Sequence, residues 1–166
     1  GRALLIGGNG NSGDGIALAE SIGAVLRDMD QIKGTFGCHP DYSGDNSEIL
    51  LSNYSGAIIV NKTGKRFYRE SEIYSDICWA GLKQPDVLIV QIFDAKIKKA
   101  LEGTPLGNLL KGAKEYQADT IKDLGVALAK AAGVNADALA ETVGKYNGYV
   151  DAGSDPKFGR TNLVGT

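Results

Sequence analysis

Three β-branched residues, Ile58, Ile59 and Val60, run straight into the turn tetrad Asn61-Lys62-Thr63-Gly64, and this junction constrains the fold more than any other stretch. Gly64 can take a positive φ without Cβ strain, which lets the chain reverse tightly. The expected order is strand, tight turn and short strand through Lys65-Arg66-Phe67. A polar run, Arg69-Glu70-Ser71-Glu72-Ile73-Tyr74, then starts a helix. Where extended chain gives way to helix, a rigid scaffold often holds functional side chains at a rim, and Glu70, Ser71, Glu72 and Tyr74 are candidates on that ground. The bland alternative is a surface hairpin with a solvated acidic helix start.

At 166 residues the chain can form one domain with a real core, or a core plus an appendage. A hydrophobic share of 43% and a charged share of 23% are ordinary for a globular protein. The net charge of −2 and the lack of a basic stripe argue against a nucleic-acid surface. Lys96, Lys98 and Lys99 are the nearest approach to one, but Ile97 and Leu101 between them read as the buried face of an ordinary helix. Two cysteines, Cys38 and Cys78, with the single histidine His39 make neither a disulfide framework nor a zinc site, so no metal is expected. No apolar run approaches the roughly 18 residues of a membrane span, and the first residues lack signal-peptide character. The 23 glycines, many of them before residue 65, suggest tight turns and close backbone approaches.

In chain order, Ala3-Leu4-Leu5-Ile6 reads as a buried strand, followed by a glycine loop and a helix from Ile16 to Leu26 capped by Ser12 or Asp14. Gly8-x-Gly10-x-x-Gly13 formally satisfies the dinucleotide fingerprint, although no second parallel strand ending in an acidic residue follows it. Met29 to Phe36 reads as extended. The long loop Gly37 to Ser47 carries His39, a general acid or substrate contact if it is not simply solvated. A helix through Ile77 to Leu82 could cover the hairpin and ends at Gln84-Pro85. Val87 to Phe93 is the most hydrophobic strand, expected to be central, buried and paired with Ala57 to Val60. Asp94 caps a helix to Leu101, Thr104-Pro105 starts a short one, and a helical pair covers Thr120 to Ala132 and Asn135 to Ala152. Leu139, Val143, Tyr146 and Val150 form an apolar stripe on the last of these. Asp155 to Arg160 is loop chemistry, and Thr161 to Thr166 shows no packing logic of its own.

Five motifs in order then carry a resemblance. Gly13-Asp14-Gly15-Ile16 opening a helix, Gly56-Ala57-Ile58-Ile59-Val60-Asn61-x-x-Gly64-Lys65-Arg66-Phe67, Phe93-Asp94, Tyr146-Asn147-Gly148 and Asp155-Pro156-x-Phe158-Gly159-Arg160 resemble the fumarate reductase/succinate dehydrogenase flavoprotein superfamily. The closer likeness is to its soluble single-chain branch of flavocytochrome c fumarate reductases, urocanate reductase and 3-ketosteroid dehydrogenases. The resemblance implies an α+β capping domain, a small hairpin-centred sheet with packed helices, preceded by a remnant of the FAD domain. Residues 1–28 would end the first FAD-domain segment, 29–153 would form the capping or substrate domain, and 154–166 would lead back towards the FAD domain. FAD is then the implied cofactor of the full-length protein, not held by this fragment alone, with Gly13, Asp14 and Gly15 as flavin contacts. The implied partners are a small-molecule substrate and the remaining FAD-domain segments of the same polypeptide.

Departures from the family pattern shape the implied chemistry. Where fumarate-reducing members carry a Thr-Glu pair and an Arg that bind a dicarboxylate, this chain places Ile49, Leu50 and Asn53. The family's catalytic arginine position holds Tyr74, and Glu70-Ser71-Glu72-Ile73-Tyr74 resembles the Glu-Ser-x-x-Tyr run of the ketosteroid-dehydrogenase-like members, where a tyrosine transfers the proton. The implied reaction is FAD-dependent oxidation or reduction of a C–C bond next to a carbonyl, with Tyr74 catalytic and Arg69, Asn53 and His39 near the substrate. Two other readings stand beside it. One is an independent nucleotide-binding domain, which requires a parallel sheet of several strands; the other is a non-catalytic ligand-binding module with a cap fold.

Overall fold

The computed structural model describes residues 10–38, 49–104 and 114–165. Among these, five α-helices accompany one two-stranded antiparallel sheet, an α+β arrangement as expected. Strand β1 (Ile58–Asn61) pairs with β2 (Ile89–Ile92), with Ile58 opposite Ile92 and Val60 opposite Val90. Helix α1 spans Asp14–Ser21, α2 Tyr74–Gly81, α3 Ala95–Leu101, α4 Ile121–Ala132 and α5 Ala136–Asp151. The expected strand at Ala3 to Ile6, the fingerprint residue Gly8, the loop residue His39 and the short helix after Thr104-Pro105 lie outside the described residues.

Side chains alternate across a strand, so β1 divides its residues between two cores. Ile58 and Val60 join Ile92, Leu128, Val134, Leu139, Val143 and Tyr146 in a cluster under α4 and α5. Ile59 points the other way, to Phe36 and Ile77. All four β1 residues are consequently buried. The expectation of a fully buried second strand is corrected: only Ile92 of β2 is buried, and among the described residues β1 is its one strand neighbour. The hairpin is also smaller than expected. Its second arm contributes one bridge, Arg66 to Val60, while β2 supplies the sheet partner.

The turn itself forms as its residues dictate. Asn61 Oδ1 accepts from the backbone N–H groups of Thr63 at 3.0 Å and Lys65 at 3.2 Å, and Gly64 has φ +72°. Helix caps follow the sequence as well. The Asp94 side chain accepts from Ile97 N–H, Thr120 from Asp123 N–H and Asn135 from Ala138 N–H, each cap stabilising its helix by about 1 kcal/mol. The α5 stripe is core at Leu139, Val143 and Tyr146, with Val150 packed at its margin.

Both ends of the described chain depart from expectation. Helix α1 stops at Ser21 instead of continuing to Leu26, and its cap residue is Gly13, at φ +87°, with no side-chain cap bond from Ser12 or Asp14. No α1 residue is buried. Ile16, Leu18, Ile22, Val25, Met29 and Ile32 remain exposed, Ile22 at 83%. At the other end, Leu163 packs against the α4–α5 core and Val164 lies against Gly56, so the tail has the packing logic that its sequence did not reveal.

Candidate functional site

The segment from Arg66 to Tyr74 is anchored by a buried polar cluster. Glu70, read from sequence either as a functional rim residue or as part of a solvated helix start, is 0% exposed. Arg66 donates from Nε to Glu70 Oε1 at 2.6 Å and from Nη2 to Glu70 Oε2 at 2.5 Å and Asp155 Oδ2 at 2.7 Å. The Ile59 N–H also donates to Glu70 Oε1, at 3.3 Å. Arg160 stands 3.8 Å from Glu70 and donates to the backbone carbonyls of Ala57 and Asn53, both at 3.0 Å. Burial by itself pulls the Arg66 pKa down, but its bonds to Glu70 and Asp155 outweigh that and hold it above the ordinary value. Burial lowers Arg160. The cluster thus fixes charges in place and joins the hairpin to the C-terminal loop.

Asn53, expected near substrate, is fully buried behind this cluster. Its Nδ2 donates to the Glu70 carbonyl at 2.9 Å. Its Oδ1, like Arg66 Nη1, has no hydrogen-bond partner among the described residues, and a buried polar atom left so costs about 1–3 kcal/mol. Arg69 is half-exposed and paired with Glu72. Tyr74 is the first residue of α2 and half-buried, packed beside the Phe36–Ile59–Ile77 cluster, with the Lys33 ammonium 5.0 Å from its ring centre. The Tyr54 hydroxyl donates to the Glu72 carbonyl at 3.1 Å, two residues before Tyr74, and burial raises the Tyr54 pKa.

Tyr74, Lys33 and Tyr54 therefore share one neighbourhood on the α2 side of the sheet, with Asn53 bracing it from inside, and Arg69 is tied to it only through its pair with Glu72. Sequence reasoning missed Lys33, which lies far away in the chain, and Tyr54, whose contact is with a backbone carbonyl. Neither leaves a spacing signal. The Asp155-x-x-x-x-Arg160 pair was visible as a motif, but nothing local showed that it reaches Arg66 and Glu70.

Gly13, Asp14 and Gly15 lie apart, at the start of α1. A Cβ built on Gly10, Gly13 or Gly15 meets nothing within 4 Å, and no side chain caps the first-turn N–H groups. Bare backbone with free donors suits a cofactor laid against it. The Asp14 carboxylate beside those donors would repel a pyrophosphate and suits a hydroxyl or ring N–H. The residues present therefore fit one wall of a flavin site. Among the described residues the sheet has two antiparallel strands, and the parallel sheet of an independent nucleotide-binding domain is not there. No helix among them is long and apolar enough to cross a membrane, and no group of metal-binding side chains is gathered.

The chain belongs to the FAD binding domain family, whose model matches residues 2–164. It is 35% identical over 159 residues to a probable fumarate reductase, Ifc3, of Shewanella frigidimarina, covering 92% of this chain and 24% of that protein. It is 31% identical over 175 residues to a 3-oxosteroid 1-dehydrogenase of Mycobacterium tuberculosis, covering 93% of this chain and 30% of that protein. Among solved structures, the open conformation of a flavocytochrome c3 fumarate reductase superposes with a TM-score of 0.67 at 34% identity, over 93% of this chain and 26% of that one. These relatives are members of the fumarate reductase/succinate dehydrogenase flavoprotein superfamily, and the chain spans about a quarter of their length.

Proposed function

We propose that this chain is the substrate-capping part of an FAD-dependent oxidoreductase that acts on a C–C single or double bond next to a carbonyl. The observation that carries the reading is the contrast between a core built around β1 and the stretch 10–35, in which no described residue is buried. Among the described residues after 52, Ile58, Ile59, Val60, Ile77, Leu139 and Tyr146 are buried although Ile73, Trp79, Leu82 and Val126 are exposed, whereas Leu18, Ile22, Val25 and Ile32 stand at 69%, 83%, 80% and 76% exposure in a stretch with no buried residue before Phe36. Leaving that much apolar surface in water is costly, at about 25 cal/mol per Å2, and further polypeptide would cover it. In this reading 1–28 end the first FAD-domain segment, 29–153 form the cap, and 154–166 lead back to the flavin.

Bound FAD supplies hydride exchange with one carbon of the substrate bond. Gly13, Asp14 and Gly15 would help to hold it. Tyr74 handles the proton at the neighbouring carbon through its phenol oxygen, held at the head of α2 by packing on Ile77 and Ile59. Arg69 offers a cation to the substrate carbonyl when it leaves Glu72, and His39 is a further substrate contact by residue type. Asn53 serves from behind by fixing the Glu70 carbonyl. With Ile49, Leu50 and Asn53 where a dicarboxylate would need charge partners, fumarate is a poor substrate.

The test is purification of the intact protein. The expected result is bound flavin absorbance and turnover of an alkene conjugated to a ketone, with fumarate reduced far more slowly. A colourless protein would favour a non-catalytic ligand-binding module, and rapid fumarate reduction would overturn the substrate class.

A further inference from the structure

We propose that the cavity between the hairpin turn and α5 binds a doubly charged oxyanion of the phosphate class. The cavity holds about 210 Å3 and is lined by Lys65, Arg66, Lys145, Tyr149 and Lys157, with Glu141 as the one carboxylate among the described residues. Lys145 is paired with Glu141. Arg66 is matched on its inner side by Glu70 and Asp155, whose second negative charge is balanced by Arg160. Lys65 and Lys157 are left over, exposed and without a carboxylate partner among the described residues. Three ammonium groups, Lys65, Lys145 and Lys157, stand against the single Glu141 carboxylate, which Lys65 also influences, and on a chain of net charge −2 this surplus gives a local field of the sign that a dianion needs.

Behind the cavity lies the buried Arg66 guanidinium. Arg66 grips Glu70 through the edge formed by Nε and Nη2, so the planar guanidinium turns Nη1 to its far corner. Arg66 is 4% exposed, and Nη1 is buried with no acceptor among the described residues. Arg66 therefore contributes its charge from behind the wall, while Lys65 and Lys157 offer charge-assisted bonds from the rim. At about 30 Å3 per water, the space equals roughly seven waters, enough for a tetrahedral anion with part of its hydration.

This site is separate from Tyr74 and does not rest on the flavin reading. Ile58 and Val60 face the α5 side with Tyr146, whereas Ile59, Ile77 and Tyr74 lie on the opposite face of the sheet. Free phosphate and a small phosphate ester share the chemistry that would be recognised.

Equilibrium dialysis of the intact protein against inorganic phosphate and, separately, glycerol 3-phosphate tests the site, with ionic strength held constant by sodium chloride. The expected result is saturable binding near one equivalent. Lys65→Gln with Lys157→Gln should weaken it at least about tenfold, whereas Lys122→Gln with Lys130→Gln, exposed on α4, should not. Thermal midpoints without anion show that both double variants remain folded, as expected for exposed side chains. Binding of phosphate alone supports the site with the free ion as ligand, and binding of the ester alone supports it with a phosphorylated metabolite. Absence of saturable binding to either, or equal weakening in the two double variants, overturns the proposal.

Discussion

Arg66 Nη2 and Asp155 Oδ2 lie 2.7 Å apart across 89 residues of sequence, with both side chains out of water. The same guanidinium holds Glu70, and rings stand against it, Tyr146 at 4.7 Å and Phe158 at 5.1 Å. One side chain therefore joins the hairpin, the segment that leads to Tyr74, helix α5 and the C-terminal loop. Whatever orients Tyr74 is thus tied to a loop that follows the last helix.

Arg66→Gln removes the cation from two buried carboxylates and is expected to cost about 3–5 kcal/mol of stability, because uncompensated buried charge is worse than a pair that was never there. Arg66→Lys restores the charge without the planar fork and should recover only part of the loss. Urea unfolding of the three proteins measures both effects. An unchanged midpoint in Arg66→Gln would show that the cluster carries no net stability.

Asp155 makes the same cluster sensitive to acid. Burial by itself would raise its pKa, but the Arg66 guanidinium and the Lys157 and Phe158 N–H groups outweigh burial and hold the carboxyl below its ordinary range. Unfolded, it titrates near about 3.9. Between that value and the lower folded value, the unfolded chain binds more protons, so stability falls as pH drops through the window and levels off below it. Thermal midpoints against pH should show this limb in the wild type. In Asp155→Asn the limb should be shallower and the midpoint at neutral pH lower; equal limbs would assign the acid sensitivity to other carboxylates.

Gly64 and Gly153 separate conformational strain from collision. Both have positive φ, +72° and +67°. A Cβ on Gly64 would stand 2.6 Å from the Asn135 carbonyl oxygen and 2.6 Å from the Leu139 nitrogen, whereas one on Gly153 meets nothing within 4 Å. Gly153→Ala should cost about 1 kcal/mol, the strain of a left-handed residue. Gly64→Ala should cost at least about 2–3 kcal/mol, since backbone at the head of α5 must also move. Comparable losses in denaturant unfolding would mean that the turn can lift from α5 freely.

These contacts also show what the sequence could and could not convey. Helix caps at Asp94, Thr120 and Asn135, the Gly64 turn and the α5 stripe are local, and each was legible because the residue and its consequence lie within a turn or two. The pairing of Ile58–Asn61 with Ile89–Ile92 was legible from hydrophobic runs, but the partial exposure of the second strand was not, since what covers a strand is a property of the whole fold. Glu70 looked like a surface acid because its partners are Arg66, in non-helical chain, and Asp155 and Arg160, far downstream. Within the candidate site, the resemblance singled out Tyr74, but Lys33 and Tyr54 reach it only through tertiary packing. Asn53 stands where the resemblance puts a substrate-binding arginine, and only the fold shows that it faces inward.

Tyr74 and Tyr54 offer a contrast by which the proposed chemistry can be judged in the intact flavoprotein. Tyr74→Phe keeps the ring on Ile77 and Ile59 and the approach of Lys33, and loses only the hydroxyl. Flavin content and folding should be unchanged, and kcat should fall roughly 10²-fold or more, the scale of a positioned acid or base, with KM little altered. Tyr54→Phe removes a 3.1 Å bond to the Glu72 carbonyl, which steadies the chain two residues before Tyr74. Its effect should be smaller, within about tenfold in kcat, together with roughly 1 kcal/mol of stability. Steady-state kinetics with a saturating electron donor or acceptor distinguishes the two roles. A Tyr54→Phe defect as deep as that of Tyr74→Phe would make Tyr54 the better candidate for proton transfer, and a Tyr74→Phe enzyme of wild-type kcat would remove Tyr74 from the chemistry and leave it as packing between hairpin and helix.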